Sequence, residues 1–160
     1  MVGDPVEVGE QGRPAGLVEL GPGVVAVPTG AETLRVIEGS RIGLCVDTGH
    51  LAAAGSDPGA IVAADPARVR HVHLKDVDSV LAARVIDGSL TFADAVRDGL
   101  FVPLGSGSVD VTGIVDTLEA AGYQGWYVLE QDVMLAGEPE GEGPVADVRA
   151  CLTYLTGGAA

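Results

Sequence analysis

The sequence predicts an α/β fold built on a parallel sheet, and three stretches predict it. Arg41 to His50 (RIGLCVDTGH), Arg68 to Asp76 (RVRHVHLKD) and Gly125 to Asp132 (GWYVLEQD) are short, β-prone apolar runs that break off at polar residues. Segments of helical periodicity separate them, and such alternation builds parallel sheets through right-handed crossovers. In these sheets the side chains that handle ligands stand at the carboxyl ends of the strands. Asp47, His73 and Glu130 occupy those ends here.

Taken in order, Met1 to Gly23 holds Gly and Pro repeatedly with no sustained period, which predicts a loosely ordered leader or extended arm. Val24 to Val27 has the composition of one short strand, closed by Pro28. A helix is expected over Ala31 to Glu38, with Leu34 and Ile37 on one face and Gly39 as its stop. The next strand, with Ile42, Leu44, Cys45 and Val46, is apolar on both faces, as a strand buried within a parallel sheet should be. Leu51 to Gly55 is a small-residue turn of helix. Ser56 or Asp57 then caps a helix that opens on Pro58 and runs to Ala64.

Asp65 and Pro66 stop that helix ahead of the His73 strand. Asp78 to Ile86 and Phe92 to Val96 form two helical pieces around the turn Asp87, Gly88, Ser89, and Phe101 to Asp110 (FVPLGSGSVD) is a glycine-rich loop. Thr112 to Ala121 places Ile114, Val115, Leu118 and Ala121 at helical spacing before Gly122. After the Glu130 strand and an acidic Gly and Pro loop over Gly137 to Gly143, Pro144 to Leu155 closes as a helix. Val148, Cys151, Leu152 and Leu155 form its inward face. Three strands and a doubtful fourth fall short of the eight strands and about 250 residues of a closed (β/α)8 barrel. The expectation is a partial barrel of three to four βα units.

An apolar fraction of 47% in 160 residues suffices for one domain with a core. The formal net charge of −14 argues against nucleic acid or an anionic membrane as partner, since phosphate surfaces demand clustered Lys and Arg. Cys45 and Cys151 lie in apolar segments and are expected as reduced core residues of a cytoplasmic protein. The chain shows no signal-peptide pattern, and no apolar run approaches the roughly 18 residues of a membrane span.

Asp47, His73 and Glu130 supply two carboxylates and one imidazole at neighbouring strand ends. That donor set suits a divalent ion of the Mn, Co, Fe or Zn group and leaves coordination positions open for substrate. Each residue alone has a plainer explanation: an Asp there can cap the next helix, and a strand His can be a satisfied core residue. All three at successive strand ends point to metal. His71 and His73 face the same side, and His73 lies closer to the carboxyl end. Glu130, His50 and Lys75 are the candidate catalytic residues, the last two able to hold substrate hydroxyls or a developing oxyanion. Lys75 is otherwise a solvated loop cation. Gly105, Ser106 and Gly107 look like a phosphate cradle only superficially, for no Gly-Lys-Ser/Thr follows, and are expected as a mobile loop over the site.

The blocks CVDTGHLAAAG, VRHVHLKDVD, FADAVRDGLFVPLGSGSVD and GYQGWYVLEQD, in that order, resemble the C-terminal half of the inosose dehydratase group. That group lies within the sugar phosphate isomerase/epimerase superfamily, whose fold is the xylose isomerase-like barrel. The resemblance spans about Leu34 to Leu155 and implies that residues 31–157 form the C-terminal half of such a barrel, behind an atypical leader over residues 1–30. It also implies a divalent metal, Mn or Co foremost with Zn, Fe or Mg as alternatives, held by Asp47, His73 and Glu130. The implied substrate is a polyol or keto-cyclitol such as inosose. The family pattern places a further carboxylate ligand where this chain has Val24 to Pro28, which holds neither acid nor histidine.

Three functions follow as expectations. The first is a metal-dependent lyase that dehydrates a keto-cyclitol. The second is a sugar or sugar phosphate isomerase or epimerase of the same superfamily. The third is a non-catalytic half-barrel fragment whose open sheet edges a second copy would cover.

Overall fold

A computed structural model of the chain describes residues 30–157 apart from residues 136 and 140; the leader, including the strand expected over Val24 to Val27, lies outside the described residues. The first helix, α1 (Gly30–Val36), ends before the expected stop, and Gly39 takes a positive φ of 70° in the turn that follows. Strand β1 (Leu44–Asp47) leads directly into α2 (Thr48–Ala53), so the helix begins inside the DTGH motif rather than after it. Helix α3 (Pro58–Ala64) opens on proline and is capped by Asp57, whose carboxylate accepts the Gly59 and Ala60 N–H groups. A single 3-10 turn, Pro66–Arg68, delivers the chain into β2 (Val69–Leu74).

Two short strands then depart from the βα rhythm. β3 (Asp76–Val77) pairs antiparallel with β4 (Phe101–Val102), and between them lie α4 (Ser79–Ile86) and α5 (Phe92–Arg97), capped by Asp78 and Thr91. Helix α6 (Val111–Ala120) follows, and Gly122, at φ 76°, turns the chain toward β5 (Trp126–Leu129). Helix α7 (Pro144–Leu155) closes the described chain. The main sheet has the order β1-β2-β5, all parallel, with Asp47 opposite His73 and His73 opposite Val128. The fold is therefore α/β with a parallel sheet that remains open, a partial (β/α)8 barrel as the sequence predicts.

Among the described residues the core lies on one side of that sheet. Leu44, Val46, Val72 and Leu74 are buried and share one cluster with Val62 of α3 and Ile114 and Leu118 of α6. The opposite face carries Cys45, Asp47, His71, His73 and Trp126, and among these Trp126 is 77% exposed. This corrects the expectation of a strand buried on both faces: period-2 alternation puts Cys45 on the open side, where it is exposed. Ile42, expected within the strand, precedes it and is 61% exposed. Helix α7 also presents a narrower inward face than expected. Cys151 is buried beneath it, whereas Leu152 and Leu155 are exposed at 50% and 38%. Cys151 anchors the helix, its Sγ meeting the Leu104 N–H at 3.2 Å and the Gln131 amide at 3.1 Å, with Val148 part-buried beside it.

The glycine-rich segment after β4 is anchored, not loose. The Asp76 carboxylate, buried completely, accepts the backbone N–H groups of Val77, Gly105, Gly107 and Val109 at 2.8 to 3.0 Å. A Cβ on Gly107 would fall 2.4 Å from the Val77 carbonyl oxygen, so only glycine lets the loop close over Asp76.

Candidate metal centre

The carboxyl ends of β1, β2 and β5 converge because one hydroxyl ties the first two together. Buried Thr48 donates to the Lys75 carbonyl at 2.6 Å and accepts the Lys75 N–H at 2.9 Å. Gly49 allows α2 to press against the same place: a Cβ there would lie 2.6 Å from Lys75 Cβ and 2.8 Å from the Phe101 ring. Glu130 follows β5 directly, its N–H directed at the Leu74 carbonyl at 3.4 Å.

Asp47, His73 and Glu130 are thereby brought together, each half-buried, with one ligand atom apiece within 4.8 Å of the others. His73 Nδ1 lies 3.6 Å from Asp47 Oδ2 and 3.3 Å from Glu130 Oε1. Two carboxylates and an imidazole around one point form a donor set for a borderline divalent cation, and the residues fit such an ion. The other ring nitrogen, Nε2, is 3.9 Å from Cys45 Sγ, and the His71 and His73 rings meet edge to face at 5.0 Å. Cys45 stands too close to Asp47 and Glu130 to ionise readily. Burial pushes its thiol up, and the two negative charges add to that.

Both remaining sequence candidates join the cluster. His50 Nδ1 donates to Asp47 Oδ2 at 2.6 Å, while the His50 backbone N–H reaches Asp47 Oδ1 at 2.9 Å as the cap of α2. The imidazole is wedged between Phe92 and Phe101, with ring centroids at 5.7 and 5.5 Å. Burial pushes the Asp47 carboxyl up, but the hydrogen bonds from His50 and the nearby charge of Lys75 outweigh it and hold the group down to about 2.

Lys75 is not a solvated loop cation. It is 3% exposed, and its Nζ lies 2.6 Å from Asp132 Oδ2, 2.7 Å from Glu130 Oε2 and 3.1 Å from Asp47 Oδ2. Burial alone would favour the neutral amine, yet hydrogen bonds to Asp132, Glu130 and Asp47 outweigh it and raise its pKa above the ordinary lysine value. The Phe101 ring lies 5.3 Å beneath the ammonium. Sequence reasoning missed Asp132. The signal was present in its spacing two residues after Glu130, which puts both on one side of an extended chain.

The family profile of the xylose isomerase-like TIM barrel matches residues 17–153. The chain belongs to that family. Among curated relatives of this xylose isomerase-like chain, the "Rhizopine catabolism protein MocC" of Rhizobium meliloti is 40% identical over 111 residues, 68% of this chain and 34% of that protein. "Inosose dehydratase" of Geobacillus thermodenitrificans (strain NG80-2) is 34% identical over 113 residues, 71% of this chain and 38% of that protein. The chain thus spans well under half the length of these relatives. Of solved structures, the "probable 3-DHS dehydratase AsbF involved in the petrobactin synthesis from Bacillus anthracis" superposes with a TM-score of 0.54 at 22% identity, covering 80% of this chain and 44% of that one. A "D-tagatose 3-epimerase-like protein" gives 0.52 at 18%, covering 81% and 42%. These likenesses show that the chain has the fold of part of such a barrel. No helix among the described residues is long and apolar enough to cross a membrane.

Proposed function

We propose that this chain contributes the metal-binding half of a barrel enzyme that removes water from a keto-cyclitol or similar polyol ketone. The observation that carries the reading is the convergence of Asp47, His73 and Glu130 within 4.8 Å at three successive strand ends, with Lys75 and His50 beside them. The 34% identity to an inosose dehydratase favours dehydration over isomerisation.

In this reading Asp47, His73 and Glu130 hold a divalent ion, Mn or Co foremost, which when bound supplies Lewis-acid polarisation of the substrate carbonyl and hydroxyl. The residues do the rest. The 2.6 Å bond to Asp47 fixes the His50 ring with its proton on Nδ1, leaving Nε2 as an acceptor for the acidified α-proton. Electrons from that C–H bond form the C=C bond as the β-carbon to oxygen bond breaks, and the departing hydroxyl takes up the proton that His50 Nε2 has just accepted and leaves as water, which returns the imidazole to its neutral form. Lys75, whose three N–H donors are taken by three carboxylates, contributes its positive charge beside the site, which favours negative charge developing on the substrate.

The test is incubation of the full chain, loaded with Mn, with a keto-cyclitol, following loss of water by mass spectrometry. Water loss that falls by roughly 10²- to 10⁴-fold in His50→Ala supports the reading. Conversion without mass change would assign an isomerase instead. A second reading is favoured by the open sheet face and the 77% exposure of Trp126: the site turns over only when a further half-barrel covers that face. Metal binding without turnover is its signature.

A further inference from the structure

Lys75 poses a problem for the metal reading on which this inference rests. Its ammonium bonds to Glu130 Oε2 and Asp47 Oδ2, the same two carboxylates that a divalent ion requires. A buried cation that held both groups would compete with the metal for them. Asp132 makes the shortest of the three contacts, at 2.6 Å, and is not a member of the group around His73. It is also the more solvent-accessible partner, with a side chain 43% exposed against 18% for Asp47 and 32% for Glu130.

The charges show what Asp132 accomplishes. Three carboxylates and one ammonium leave the cluster with two net negative charges, which one divalent cation neutralises. Without the Asp132 charge only one negative charge remains, and the ammonium has no acceptor of its own apart from the metal's ligands. We propose that Asp132 is a positioning residue, the dedicated counter-ion that holds the Lys75 ammonium aside so that Asp47 and Glu130 can turn to a divalent ion. It touches neither metal nor substrate and acts through Lys75.

The experiment is calorimetric titration of Mn(II) into the full chain and into Asp132→Asn, Lys75→Met and the double variant, with circular dichroism to verify folding. Asp132→Asn is expected to weaken Mn binding by roughly ten- to a hundredfold, the range found when a partner that orients metal ligands is removed. The double variant should recover most of that loss, because the competing ammonium is gone, and Asp132→Glu should retain affinity. A loss of ligand geometry or of fold would not be repaired by removing Lys75. Unchanged affinity in Asp132→Asn, or a double variant as weak as the single one, overturns the proposal while the metal site stands. If the wild-type chain binds no Mn but Lys75→Met does, Asp132 does not hold the ammonium aside and the proposal is overturned, while the ligand set stands. If no variant binds, both fail.

Discussion

The Asp76 carboxylate fastens the glycine-rich loop to β3 by three of the loop's backbone N–H groups and accepts the Val77 N–H as a fourth. In Asp76→Asn an amide NH2 would face donors that are already buried, so stability should fall by roughly 2 to 6 kcal/mol, two unsatisfied groups at 1 to 3 each. Urea unfolding checks this. Gly49→Ala should cost about 1 to 3 kcal/mol by overpacking against Lys75 Cβ and Phe101, and should also displace the Lys75 ammonium. Readability at this scale follows from chain position. Asp47, His73 and Glu130 could be found because each ends a strand, and strand ends converge in parallel sheets. The cradle around Asp76 and the pairing of Asp132 with Lys75 could not, since both join residues 29 to 57 positions apart through loops without periodicity.

At the scale of elements, one helix start was readable from a local rule: of the two expected caps, Ser56 and Asp57, it is Asp57 ahead of Pro58 whose carboxylate accepts the Gly59 and Ala60 N–H groups. Asp78, expected as the first residue of its helix, and Thr91, for which no role was expected, prove to be caps as well. The β3–β4 pair was hidden because each strand has two residues and its pairing is antiparallel within an otherwise parallel run. Contact between β5 and α6 is closed by the Tyr127 hydroxyl, which donates to Glu119 Oε1 at 3.0 Å. Burial, the Glu119 bond and its charge all raise the tyrosine above its ordinary value of 10.0. A raised folded-state pKa contributes stability that is complete below pH 10 and is lost as the pH climbs above it. Denaturant unfolding between about pH 9 and pH 11 should therefore show stability declining above 10 in the wild type and declining less in Tyr127→Phe.

For the whole molecule, the decisive feature is a sheet that the described residues cover on one face. The apolar composition of β1 concealed this, because a strand lining a barrel lumen and one buried between helices both contain few charged residues. Only the alternation of Cys45 and Asp47 against Leu44 and Val46 separates them. Trp126, the single tryptophan, lies on the open face at 77% exposure. The isolated chain should show red-shifted indole emission that acrylamide quenches efficiently; blue-shifted, protected emission would mean that the face is covered in solution. The open face leaves the three candidate ligands together, since all of them belong to the described residues. The most direct measurement is the stoichiometry of Mn(II) bound to the purified chain by calorimetry, beside Asp47→Ala. One ion per chain, abolished in the variant, is the predicted result. Equal binding by both, or none by either, would contradict a metal centre at these strand ends.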